Sequence, residues 1–129
     1  MDANTAYSQQ AATTASPAQL VLMLYDGALA RIEQAAQALS TAPVAGEVAH
    51  TALTKAQAIV HELTVTLDHD RGGVVAANLA ELYRFCMERL LAANVSKDPA
   101  PLAEVAPVLT GLRDAWEQGC VHAPVAVSV

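Results

Sequence analysis

The sequence predicts an all-α protein: an antiparallel up-down four-helix bundle preceded by a flexible N-terminal arm. Apolar side chains recur at alternating spacings of three and four along four separate stretches, the pattern of helices that bury one face. Hydrophobic content is 53% but aromatic content only 4%, so the core must be built from Ala, Leu and Val, which suits close-packed helices better than a sheet. Short connections make sequential helices antiparallel. At 129 residues the chain is one domain, long enough to bury a core without covalent staples.

Residues 1–15 are small and polar, with Tyr7 the single large apolar side chain after Met1, and cannot fold alone. They read either as a disordered arm or as a segment that docks Tyr7 reversibly on an apolar groove. The bundle is expected over residues 16–119. Its first helix runs from Pro17 to about Ser40: Ser16 is a natural N-cap, Pro17 suits the first helical position, and Gln19 completes a capping box. Its stripe is Leu22, Tyr25, Leu29, Ile32, Ala36 and Leu39, and Leu20, Val21, Met23, Leu24 and Ala28 widen its first half. That width fits either a helix with two neighbours or a partner groove. Gly27 sits mid-helix, which predicts a close backbone approach there.

The second helix is expected from Gly46 to Asp68, with Ala49, Leu53, Ala56, Val60, Leu63 and Leu67 inward. Asp68 to Gly73 reads as a polar turn. The third helix takes Val74 to Asn94 on the stripe Ala76, Leu79, Tyr83, Cys86, Leu90 and Ala93. For the fourth, Asp98 is the expected N-cap and Pro99 opens the first turn, with Leu102, Val105, Leu109, Leu112 and Trp116 inward. Pro107 interrupts it and predicts a kinked helix, because the apolar phase carries through. Residues 120–129 lack helical phase and are expected to be a disordered tail.

The net charge of -6, with seven scattered Lys and Arg, argues against nucleic acid and anionic membrane as partners. The longest large-apolar run, Leu20 to Tyr25, is far short of the ~20 residues that span a bilayer. Met1 to Thr5 carries neither a basic side chain nor an apolar run, so no secretory signal and a cytoplasmic location are expected. Cys86 reads as a small core hydrophobe. A di-metal carboxylate cage needs two Glu-x-x-His motifs, and only Glu47 with His50 has the spacing, so no metal or other cofactor is expected. Asp68 and Asp70 read as solvated turn residues, and no nucleophile, phosphate-loop or dinucleotide motif is present. The chain is therefore not expected to be an enzyme.

What the residues leave is an acidic bundle with surplus apolar surface, the form of a module that folds a disordered amphipathic segment onto itself. Ala15-Ser16-Pro17 before Gln19-Leu20, then Leu24-Tyr25-Asp26-Gly27, Lys55-Ala56, Glu62-Leu63, Leu67-Asp68, Asn78-Leu79, Leu82-Tyr83, Leu90 to Asn94, Glu104-Val105 and Ala115-Trp116 follow one another in an ordered series. On these pieces the chain resembles the FliS family of flagellar export chaperones from about Tyr7 to Glu117.

The resemblance implies a client, the C-terminal region of flagellin, kept from premature polymerisation in the cytoplasm and delivered for export, with an export-gate component as a second partner. It also implies that Tyr7, matching the family's tyrosine, is a displaceable lid, which favours docking of the arm. Leu20, Leu24, Ile59, Leu63 and Leu82 are the expected groove residues, because most lie off the central stripes or where neighbouring stripes diverge. Pro107 and the tail depart from the family pattern. A monomer or weak homodimer is expected. The rival readings are a self-associating helical adaptor without chaperone activity and a metalloenzyme.

Overall fold

The computed structural model describes residues 16–41 and 46–119. They form four helices: α1 (Pro17–Thr41), α2 (Gly46–Val65), α3 (His69–Ser96) and α4 (Leu102–Glu117). Each helix packs on the next and α4 returns to α1, so the order around the bundle is α1, α2, α3, α4. Side-chain pairs fix the directions. Gly27 of α1 lies against Ile59 of α2, and His50 near the start of α2 meets Asn94 near the end of α3. Arg89 of α3 meets Glu104 early in α4, and Trp116 at the end of α4 meets Ala18 at the start of α1. Every neighbouring pair is thus antiparallel.

The capping box on α1 is fully formed. The Ser16 hydroxyl accepts from the Gln19 N–H at 3.2 Å, and the Gln19 amide oxygen accepts from the Ser16 N–H at 2.9 Å. The face buried by α1 is rotated from the expected stripe: Val21, Tyr25, Ala28, Ile32, Ala35 and Ala38 point inward, while Leu22, Leu29, Ala36 and Leu39 are half-buried at its edge. Alanines occupy the line of closest approach because they let the backbones come together, and the larger leucines fill the sides.

In α2 the expected face is the buried one, with Leu67 buried just beyond the helix end. The helix stops at Val65, three residues early, and Asp68 instead caps α3 by accepting from the Arg71 N–H at 3.1 Å. The expected turn is therefore helical over His69 to Gly72, then broken by Gly73 at φ 52°, ψ −123°. The α3 face is the expected one, and the helix ends on Lys97 at φ 56°.

Asp98 does not cap α4 directly. Its carboxylate accepts from the Ala100 N–H at 2.9 Å, holding a tight turn over Pro99 to Pro101 that feeds the helix at Leu102. From there α4 is continuous through Pro107. Pro107 and Ala103 are both exposed, so the carbonyl that the proline leaves without a donor lies on the solvent side of the helix rather than in the core.

Candidate functional site

Two tyrosines anchor the core. Tyr25 of α1 and Tyr83 of α3 meet across the bundle with their hydroxyls 2.5 Å apart. Burial is the main cause that raises both phenols above their ordinary value, and it pushes the neighbouring Cys86 thiol up to about 11. These groups stay neutral and inert at physiological pH. Among the described residues no group of three or more His, Cys, Asp or Glu could hold a metal ion, and His50 is engaged with Asn94 at 3.1 Å. Nor, among these residues, is any helix long and apolar enough to cross a membrane. A depression between α1 and α2 is lined by Arg31, Gln34, Glu47, Val48, Thr51, Ala52 and Lys55, a surface of mixed polar and apolar character.

The unusual surface is apolar. Of nine exposed large hydrophobics among the described residues, six lie on α3: Val74, Val75, Leu82, Phe85, Leu91 and Val95. Helical spacing sorts them. Arg89 faces α4 through Glu104 at 3.3 Å, and stepping back by fours and threes from Arg89 gives Phe85, Leu82, Asn78 and Val75. Stepping forward from Glu104 gives Val108, Gly111 and Ala115. Two largely apolar lines thus run side by side along the α3/α4 seam, closed at one end by the Arg89–Glu104 pair. Val108 and the adjacent Leu112 are half-buried against the core, and a Cβ added at Gly111 would meet nothing within 4 Å.

The expected groove residues fall in separate places. Leu82 lies on the α3/α4 seam and is 37% exposed. Leu24 and Leu20 sit one and two steps before Gly27 on the line of α1 that faces Ile59, so these three belong to the α1/α2 seam on the opposite side, all half-buried. Leu63 is 1% exposed and belongs to the core. Tyr7 lies outside the described residues. Phe85, prominent on the surface, was missed; its i, i+3 and i, i+4 relation to Leu82 and Arg89 is the signal that could have found it. The close approach expected at Gly27 is made by the tip of the Ile59 side chain, 3.4 Å from where a Cβ would stand, rather than by backbone.

The chain matches the family described as "Flagellar protein FliS" over residues 1–123. It is 41% identical over 114 residues to the flagellar secretion chaperone FliS of Bacillus subtilis, covering 88% of this chain and 83% of that protein. The Salmonella typhimurium protein of the same name is 38% identical over 111 residues, covering 85% and 81%. That of Campylobacter jejuni is 36% identical over 116 residues, covering 90% and 89%. These matches span nearly the whole bundle, and the chain belongs to the FliS family of flagellar secretion chaperones.

Proposed function

We propose that this protein is a cytoplasmic export chaperone that holds the C-terminal region of flagellin, prevents its premature polymerisation and delivers it for flagellar export. The observation that carries the reading is the apolar surface of α3, which stays exposed although the core beneath it is filled. Isolated exposed apolar residues are ordinary, but a line of them beside the half-buried Val108 and Leu112 fits an amphipathic client helix with anchors at i, i+3 and i+7. The client gives up chain freedom on binding and is compensated by burying its own apolar face. On this reading Tyr7 is a lid that competes for the surface, Leu20, Leu24 and Ile59 form a second contact line, and the export gate receives the loaded complex. The chaperone itself is a monomer or a weak homodimer.

The test is titration calorimetry of the full chain with the C-terminal segment of its own flagellin. Saturable binding with a negative heat-capacity change is expected, weakened at least tenfold by Phe85→Asp or Leu82→Asp with the helical content intact. Tyr7→Ala should bind more tightly. Leu63→Asp is unsuitable, because it buries a charge in the core. A folded monomer that shows no saturable binding at high concentration would reject the chaperone reading, and a stable dimer in dilute solution would favour the self-associating adaptor.

A further inference from the structure

The α1/α2 seam can be followed in both directions from Gly27, which touches Ile59. Arg31 follows Gly27 by four residues and Lys55 precedes Ile59 by four, and because the two helices are antiparallel both cations lie about 6 Å along the axis on the same side of that contact. Leu24 precedes Gly27 by three residues, about 4.5 Å the other way. The seam thus passes from half-buried leucines to a pair of cations over about 10 Å. Both cations line the depression between the helices, which measures about 350 Å³, at the lower end of ligand-sized clefts. Its floor is the buried Ala52 and its wall includes Val48, 49% exposed.

Elsewhere in the bundle arginines face carboxylates: Arg84 pairs with Glu81, Arg89 with Glu104, and Arg113 with Asp26, Asp114 and Glu117. The depression differs. Arg31, half-buried, donates to the neutral side-chain oxygen of Gln34 at 3.3 Å, and among the described residues no carboxylate pairs with Arg31 or Lys55. Glu47 lines the same depression but lies eight residues before Lys55, about 12 Å along the α2 axis, and pairs with neither cation. Two cations without a counter-charge over a partly apolar floor attract an anion in contact with them. The net charge of -6 does not prevent this, because salt screens the distant charges beyond about 10 Å and leaves the contact pair acting.

We propose that the α1/α2 seam docks an amphipathic helix of a partner protein, with apolar side chains on Leu20, Leu24 and Ile59 and one carboxylate held between Arg31 and Lys55. On such a helix the carboxylate stands seven residues from the anchor over Leu24, because seven residues rise about 10.5 Å and return to the same face. Glu47 limits the choice: a second carboxylate farther along would meet it, so the seam selects a single acidic residue rather than an acidic run. The proposal goes beyond the flagellin reading and requires no particular client.

The test is fluorescence titration of the full chain with two synthetic, acetylated and amidated helical peptides of about 15 residues. Both carry leucines on one face; seven residues from the anchor leucine one has glutamate and the other glutamine. At low salt the glutamate peptide should bind about threefold more tightly or better, with the preference shrinking as salt rises. Arg31→Gln combined with Lys55→Gln should erase the preference, and Lys55→Glu, at an exposed position that leaves the fold intact, should turn it toward a peptide with lysine in that place. Equal binding of the two peptides, binding of neither, or a preference that survives the double variant would overturn the proposal. So would loss of binding in Phe85→Asp, which would put the peptide on the α3/α4 seam, or its displacement by succinate at matching concentration, which would assign the depression to a small dicarboxylate. The peptides carry no flagellin sequence, so a flagellin segment that fails to bind rejects the client reading and leaves this result standing.

Discussion

The Tyr25–Tyr83 pair shows how much one hydrogen bond decides in a core with few polar atoms. No buried side-chain nitrogen or oxygen among the described residues lacks a partner, and these hydroxyls meet that requirement by facing each other. Tyr83→Phe leaves the Tyr25 hydroxyl buried without its partner and should cost about 1–3 kcal/mol, whereas Tyr25→Phe with Tyr83→Phe should recover most of the loss. Urea unfolding of the four chains of that double-mutant cycle measures it, and additive losses would mean the hydroxyls are not coupled. The same burial sets the alkaline limit. Tyr25, Tyr83 and Cys86 are raised above their ordinary 10.0, 10.0 and 9.0, so the folded chain keeps protons that the unfolded chain releases. Their contribution is complete below about pH 9 and is lost as pH rises through the folded values. The urea midpoint should therefore fall as pH rises from about 9 to about 11, and fall less in the double Phe chain; an equal fall would place the alkaline limit elsewhere.

Within single helices, what could be read from sequence was what depends on near neighbours. The Ser16–Gln19 box spans three residues and was legible in full. The α1 face was not, because spacing marks where apolar residues lie but not whether Ala or Leu takes the close-approach line, which α2 decides. The start of α3 was missed for a related reason: Asp68 and Gly73 both read as turn residues, yet one caps a helical turn and the other breaks it five residues later. Lys97 gave no signal at all. A lysine at φ 56° carries a strain that glycine does not, so Lys97→Gly should raise stability by about 0.5–1 kcal/mol, read as a higher melting temperature. Pro107→Ala should add about 1 kcal/mol or more by restoring a donor to the Ala103 carbonyl, with a gain in α4 helicity. No gain would mean that the early helical position already accommodates the ring.

Across the whole molecule, the four seams are not equivalent, and no pattern within one helix could rank them. The α1/α2 pair packs most extensively and the α3/α4 pair least. On its other side α4 is tied to α1 by two contacts that local spacing could not reveal: the Trp116 indole N–H donates to the Ala18 carbonyl at 2.8 Å, and Arg113 donates to Asp26 at 2.7 Å while also meeting Asp114 and Glu117. The visible polar tie across the α3/α4 seam is the exposed Arg89–Glu104 pair, of a kind that contributes little. Opening should therefore begin at α4, with α1 and α2 the last to exchange. Trp116→Phe keeps the apolar bulk but removes the indole donor, a loss of about 1 kcal/mol or a roughly fivefold rise in α4 amide exchange, with α1 and α2 nearly unchanged. Uniform acceleration of all four helices would show instead that the bundle opens as one unit. A binding surface at the least anchored seam could then not exploit local opening of α4, and a client would have to bind the bundle as it stands.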